Sequence, residues 1–400
     1  MSKASRTAEH SVSLVDPFPH GEFTNRWGSL QRAMKKAALD ALLATSRSNF
    51  EYITGYRTPS WLIKSRPLMV ILPVEGDPTV VVSSTHALDV AGAGIVRDIR
   101  EFGGFERAAT ESLIATLRDK GLASARLGIE SGQEQRLGMP LEEFRRLENE
   151  CPKAVMSDAG QVFWEARIRK SELEIGRART AGKIAGRVYE SLMSDLGPGW
   201  SEAQVYRQIV AGTVELGGEA PGYVTMTGGP SAYGQHNTWP GQRSFEPGEL
   251  FWVDVAGTFG GYYSDYTRCA AVGHASQEQH EAYALVLEML DAALSVIKSG
   301  ARVSSIFEAA RSAAARKGAS LRVASRIGHG VGLDLTEPPS LTSQEDSVLE
   351  ASMILAVEPG MLTAHGWYHL EENVAVTDGG YELLSAPQPR ELLVARGKPQ

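Results

Sequence analysis

The stretch Leu250-Phe251-Trp252-Val253-Asp254-Val255 has the composition of a buried β-strand, yet it carries one carboxylate in its middle. An ionised Asp254 left there without a partner would cost several kcal/mol or be forced to take up a proton. The Gly260-Gly261 turn that follows can reverse the chain and bring Asp265 alongside. A second apolar run, Met353-Ile354-Leu355-Ala356-Val357, ends on Glu358 just before Pro359-Gly360, and Glu371 and Glu372 open a third, Asn373-Val374-Ala375-Val376. His329 lies between Gly328 and Gly330, where another backbone can approach closely. Singly, a strand-end acid is usually a turn or cap residue, and a histidine between glycines usually has no special role. Together, four carboxylates and an imidazole converging on one place need positive charge to be tolerable. Divalent ions such as Mn²⁺, Co²⁺, Zn²⁺ or Fe²⁺ supply it, and a pair of them lowers the pKa of a shared water.

The chain around these motifs alternates helical and strand patterns. Residues 1–22 read as a loose arm. From Phe23 a helical period begins, with Trp27, Leu30 and Met34 on one face and Arg32, Lys35 and Lys36 between them. Ala41–Ala44, Leu68–Leu72, Thr79–Val82 and Arg126–Glu130 read as strands, the second and third joined as a hairpin through Glu75-Gly76-Asp77-Pro78, with a helix near 107–120. The alternation implies an α/β domain over 23–163. Beyond it, over 164–400, three capping boxes open long helices: Ser171/Glu174, Ser201/Gln204 and Ser276/Gln279, the last running toward Lys298. A weak internal repeat pairs Pro247–Asp254 with Leu349–Glu358: each is a turn feeding an apolar strand that ends on a carboxylate. Two related halves sharing one centre would make this an α+β domain with a pseudo-twofold.

Composition narrows the function classes. Four hundred residues, 42% hydrophobic and 22% charged, suit two globular domains with ample cores. A net charge of -8 argues against a nucleic-acid or anionic-membrane partner. No run approaches the ~20 apolar residues of a membrane span. The first twenty residues lack the apolar core of a secretory signal. Two cysteines, Cys151 and Cys269, make no disulfide framework and fit a reducing compartment. The expectation is a cytoplasmic protein.

Five ordered motifs then carry a resemblance. Val253-Asp254-Val255-Ala256-Gly257, Ser264-Asp265-Tyr266-Thr267-Arg268, Gly328-His329-Gly330-Val331-Gly332, Val357-Glu358-Pro359-Gly360 and Leu370-Glu371-Glu372-Asn373-Val374 resemble those of the aminopeptidase P, prolidase and creatinase family. Arg167-Ile168-Arg169-Lys170-Ser171-Glu172 is similar to the entry of that family's catalytic domain, and Asn49–Tyr56 to its N-terminal domain. The resemblance implies a creatinase-like N-terminal α/β domain followed by a pita-bread catalytic domain that holds two divalent metal ions. It implies Asp254, Asp265, His329, Glu358 and Glu371 as ligands, with Asp265 and Glu371 bridging. Glu358 would shuttle a proton to the leaving nitrogen, and His236, in Gly234-Gln235-His236-Asn237, would contact substrate and stabilise the transition state. The substrate would be a short peptide of Xaa-Pro type. The resembling dimers close an N-terminal loop over the partner's active site; Trp61-Leu62-Ile63 occupies such a loop here, which implies a homodimer with Trp61 as a substrate contact.

Two departures touch substrate handling. Xaa-Pro peptidases of the family usually carry a second histidine in a His-Glu pair, where this chain has Thr336-Glu337; and many aminopeptidase P enzymes have arginine where this chain has His369. The run Leu335-Thr336-Glu337-Pro338-Pro339-Ser340 also resembles ectoine-hydrolase relatives. The alternative expectation is therefore hydrolysis of a small non-peptide amide or cyclic amidine. More remote are a lyase acting on a small zwitterion and a binding protein without activity, whose relatives typically lose ligands that are intact here.

Overall fold

The computed structural model describes residues 15–317 and 326–397, so most of the expected N-terminal arm lies outside the described residues. The chain divides into two compact units, Met1–Arg167 and Ile168–Gln400.

In the first unit, α1 (His20–Lys36) begins just after Pro19 and buries Phe23, Trp27, Leu30 and Met34. It starts three residues before the apolar period does, because proline pre-sets the backbone at a helix start. The Trp27 indole N–H donates to the Ile53 carbonyl at 2.7 Å. Next come β1 (Ala41–Ala44) and α2 (Arg47–Thr54), which is capped by the Ser46 hydroxyl and stopped at Gly55. Between them, the buried Glu130 carboxylate accepts from the Thr45 and Ser46 amides at 2.6 and 2.9 Å and from Asn49 Nδ2 at 2.7 Å. This ties the Asn49 motif to the sheet. A 3-10 turn, Pro59–Leu62, carries Trp61, whose ring meets Phe50 edge-on at 5.5 Å. The rest is β2 (Met69–Pro73), β3 (Thr79–Ser83), α3 (Ser84–Ala93), β4 (Asp98–Phe102), α4 (Glu106–Asp119), β5 (Arg126–Ile129), α5 (Leu141–Glu150), β6 (Val155–Asp158) and α6 (Gly160–Arg167). β2 and β3 pair as a hairpin, and the six-stranded sheet runs β4-β3-β2-β1-β5-β6. Ile71, Val81 and Leu127 pack against Leu113 and Leu117 of α4 and Leu147 of α5.

The second unit opens with α7 (Glu172–Asp195) and α8 (Glu202–Glu215), both with capping boxes formed in full. Strands β7 (Glu219–Gly228), β8 (Leu250–Phe259) and β9 (Tyr262–Val272) follow as an antiparallel meander. The turn between β8 and β9 uses Gly260 at φ 59° and Gly261 at φ 85°, conformations that other residues resist. Then come α9 (Gln277–Ser295), again with its capping box, and α10 (Ser304–Arg316). α9 stops at Ser295, short of Lys298. The remaining elements are β10 (Arg326–Gly330), β11 (Glu337–Thr342), β12 (Ile354–Val357), the hairpin β13 (Gly360–Thr363) and β14 (Gly366–His369), β15 (Glu372–Val376), β16 (Tyr381–Leu383) and β17 (Leu393–Ala395). One sheet runs β17-β9-β8-β7 and another β11-β10-β12-β15-β16.

Alternation along β8 and β9 separates two cores. Phe251, Val253, Val255, Tyr266 and Ala270 face α7 and α8, in one core with Val188, Leu192 and Ile209. Leu250, Trp252, Cys269 and Ala271 face the other way, into a core shared with α9, α10 and with Leu355, Val357, Val374 and Val376. That second face is the one on which Asp254 and Asp265 stand.

Candidate metal centre

Residues directly opposite in an antiparallel ladder share a face. Asp254 stands opposite Thr267 and Ala256 opposite Asp265, so the two aspartates are diagonal neighbours on one face. In the other sheet, His329 and Asn373 flank Ala356 from either side, and Glu372 stands opposite Val357. Asn373 joins the sheets: its Oδ1 accepts from the Asp265 amide at 2.9 Å, and its Nδ2 donates to the Asp265 carbonyl. The Thr267 hydroxyl donates to Glu371 Oε2 at 2.8 Å, and buried Arg268 donates to the Glu371 carbonyl at 2.6 Å.

Asp254, Asp265 and Glu371 are thereby gathered with one oxygen each within 4.8 Å of the others. His329 Nε2 lies 3.5 Å from Asp265 Oδ2 and 3.6 Å from Glu358 Oε1. Its Nδ1 sits 3.0 Å from the Gly330 carbonyl, which can only accept. Neutral His329 therefore carries its proton on Nδ1 and turns the Nε2 lone pair toward the carboxylates. The flanking glycines make this possible: a Cβ on Gly328 would fall 2.0 Å from the Ala356 carbonyl oxygen, and one on Gly330 2.2 Å from that of Pro338. All five expected ligands are brought together.

The electrostatics follow from crowding. Burial first, then the neighbouring charges of Glu371 and Asp254, push the Asp265 carboxyl well above the ordinary range. Glu371 is likewise pushed well up by burial, then by Glu358 and Asp254. Asp254 is raised by burial, with His369 pulling the other way. Glu358 differs. Burial would raise it, but His369 Nε2 at 3.0 Å from Oε2, with His329 beside it, holds it below its usual value. The residues fit divalent cations by their donor chemistry. Asp254 Oδ1, Asp265 Oδ1 and Glu371 Oε1 are buried acceptors without a hydrogen-bond donor among the described residues, and hard oxygen ligands plus one imidazole are what such ions take.

His236 lies in the loop between β7 and β8, half-buried, with its ring 4.3 Å from Trp367 and 5.9 Å from Trp252. Burial, then the charge of His369, lowers its pKa, so the neutral ring is favoured. His369, singled out for departing from arginine, is the partner of Glu358. Thr336 stands half-buried in the turn before β11, next to Glu337, whose carboxylate pairs with Lys170 Nζ at 2.8 Å. Trp61 belongs to the first unit. Among the described residues no hydrogen bond or ion pair ties Thr336 to the carboxylates.

Sequence reasoning missed Trp252, Trp367, Thr267, Asn373 and Tyr223. A signal existed for the tryptophans. Trp252-x-Asp254 and Trp367-x-His369-x-Glu371 have the period-two spacing that puts side chains on one face. Tyr223 was not readable, because only the β7–β8 register brings its hydroxyl, pushed up to about 12 by burial and then by Asp254, near the carboxylates.

The fold and this centre define a metallopeptidase-type catalytic domain of pita-bread architecture that follows a creatinase-like N-terminal domain in the sequence. The chain belongs to metallopeptidase family M24, whose model matches residues 176–378, and the creatinase/prolidase N-terminal domain matches 26–169. It is 31% identical over 238 residues to the probable dipeptidase PepE of Mycobacterium tuberculosis (strain ATCC 25618 / H37Rv), an alignment covering 59% of this chain and 63% of that protein. The match thus spans just under two thirds of that relative's length. Dipeptidase PepE from Mycobacterium ulcerans superposes with a TM-score of 0.80 at 25% identity, covering 95% of this chain and 100% of that one. The Xaa-Pro dipeptidase from Bacillus anthracis shares the fold at a TM-score of 0.82 and 21% identity, over 93% and 99% of the two chains. Among the described residues no helix is long and apolar enough to cross a membrane.

Proposed function

We propose that this chain hydrolyses the amide bond of a short peptide, as an Xaa-Pro dipeptidase or aminopeptidase, with two divalent ions held by Asp254, Asp265, His329, Glu358 and Glu371. The observation that carries the reading is the set of buried, donorless carboxylate oxygens contributed by β8, β9 and the residue before β15 and gathered at one place. The dipeptidase names of the relatives agree with it.

Bound there, the ions supply an activated water near neutral pH and a Lewis acid for the scissile carbonyl. The protein's own groups do the rest. Glu358, held deprotonated by His369, is the carboxylate able to take a proton from the attacking water and pass it to the departing nitrogen. His236, favoured neutral, donates an N–H toward the oxygen on which negative charge develops, where a donor fixed in advance is worth most. Asn373 and Arg268 hold the backbones of Asp265 and Glu371 so that the ligands need not reorganise.

A second reading is favoured by Thr336. A hydroxyl there offers a peptide backbone one neutral hydrogen bond, where the family's histidine can also carry charge. This favours a compact substrate, down to a small non-peptide amide or cyclic amidine. The test is a substrate screen of Mn²⁺-, Co²⁺-, Zn²⁺- and Fe²⁺-supplemented protein against Xaa-Pro dipeptides, longer Xaa-Pro peptides and small cyclic amidines. Turnover of dipeptides supports the first reading, and turnover of amidines alone supports the second. We further propose a homodimer in the cytoplasm, with Trp61 reaching the partner's substrate.

A further inference from the structure

We propose that Trp252 and Trp367 form an aromatic bracket that positions His236 and His369 at the carboxylate centre, a proposal that rests on the amide-hydrolase reading above. Four rings stand together. Trp367 meets His236 at 4.3 Å and His369 at 5.5 Å, and Trp252 meets His236 at 5.9 Å and His369 at 6.1 Å. Both indoles are buried, so they are rigid walls for the two imidazoles.

Each wall is anchored to the site's own framework. Trp367 lies directly on the backbone that follows Glu358-Pro359. A Cβ on Gly360 would fall 2.8 Å from its Cζ2, 2.9 Å from its Cη2 and 3.2 Å from His369 Cδ2. Trp252 donates its indole N–H to the Thr227 hydroxyl at 2.8 Å, and that hydroxyl reaches the carbonyl of Gln235, the residue before His236, at 3.4 Å. The backbone of His369 is held in turn by the Cys269 thiol, which accepts from its amide at 3.3 Å. The bracket therefore references His236, carried on a long loop, to the same backbone that sets Glu358 and His369. A loop histidine without such walls would be free to change rotamer, and a displacement of about 1 Å at a reacting group can lower a rate about a hundredfold. Trp252 and Trp367 are positioning residues: nothing requires them to touch the reacting atoms.

The test uses the full chain in three variants, Trp367→Leu, Trp367→Phe and Trp252→Phe, with thermal unfolding as the control for folding. Metal-loaded Trp367→Leu should lose about ten- to a hundredfold in kcat with KM little changed. Trp367→Phe, which keeps a ring in place, should recover most of it. Combined with His236→Gln, Trp367→Leu should lose less than the product of the two single losses, because both act through one imidazole. A second readout needs no turnover. In proton NMR of the zinc-loaded and metal-free chain, the His236 ring protons, assigned by their disappearance in His236→Gln, should be displaced by the indole ring current from an exposed histidine's. They should move toward that exposed value in Trp367→Leu. Multiplicative losses with unmoved ring protons would overturn the bracket. Should Trp367→Leu fail to fold, the same two readouts on Trp367→Phe and Trp252→Phe decide. If the unaltered chain cleaves no amide at all, the hydrolase reading falls, and the NMR still says whether the bracket holds His236.

Discussion

Asp265 shows most sharply what the centre demands of a single residue. Its folded-state pKa is raised, so in the metal-free chain its protonated form favours folding at low pH, and that contribution is lost as pH rises through the raised value. At neutral pH the empty carboxylate cluster therefore works against the fold. Asp265→Asn should abolish two-metal uptake and lower turnover about a thousandfold or more, since several kcal/mol of charge stabilisation go with the ions. Yet the metal-free variant should unfold a few degrees above the metal-free parent at neutral pH, with the gap closing as pH is lowered. Calorimetry of chelated samples across pH checks this, and a variant less stable than the parent at neutral pH would contradict it. Thr336 makes the other residue-scale prediction. If the scaffold is otherwise a peptidase's, Thr336→His should raise kcat/KM on longer Xaa-Pro peptides by about one to two decades, the value of one charged hydrogen bond. Steady-state kinetics on a peptide-length series measures it, and no change would remove the main support for a compact non-peptide substrate.

Among the elements, the segment leading into α7 is pinned to the start of β11 by the Lys170–Glu337 pair, whose side chains are 2% and 1% exposed. At that depth solvent screens little, so Lys170→Ala should cost about 3–5 kcal/mol by stranding the Glu337 charge, while Lys170→Met with Glu337→Leu should recover most of it. Denaturant unfolding of the single and double variants measures this, and a mild single variant would show that the pair is dispensable. The elements also show what a sequence can reveal. The strand that carries Asp254 in its middle and the one that runs into Glu358 were legible because an ionised group in or beside an apolar run demands an explanation. The capping boxes at Ser171, Ser201 and Ser276 were legible because hydroxyl and carboxamide or carboxylate sit three residues apart. The β13–β14 hairpin was not, since its Trp367 and Tyr368 look like ordinary core in one dimension. Nor was the start of α1, where a polar His20-Gly21-Glu22 turn carries no apolar period. The convergence itself, with Asn373 tying β9 to β15, is a matter of register between distant strands that no local pattern encodes.

At the scale of the whole molecule, hydrolysis by the second unit rests on the proposed two-ion centre. The first unit exposes Leu62 at 88% and Leu88 at 86%, apolar surface that suits the proposed self-association. Sedimentation at micromolar concentration should give twice the mass of the chain, and a monomer there would remove Trp61 from the substrate's surroundings. Elemental analysis of the reconstituted, desalted chain, with Xaa-Pro dipeptide cleavage followed on the same samples before and after chelation, decides whether the centre works through two ions. Two divalent ions per chain are expected, about one or fewer in Asp265→Asn, with cleavage that chelation abolishes and added metal restores. Metal content no higher than that of Asp265→Asn, together with cleavage that survives chelation, would contradict the two-ion centre.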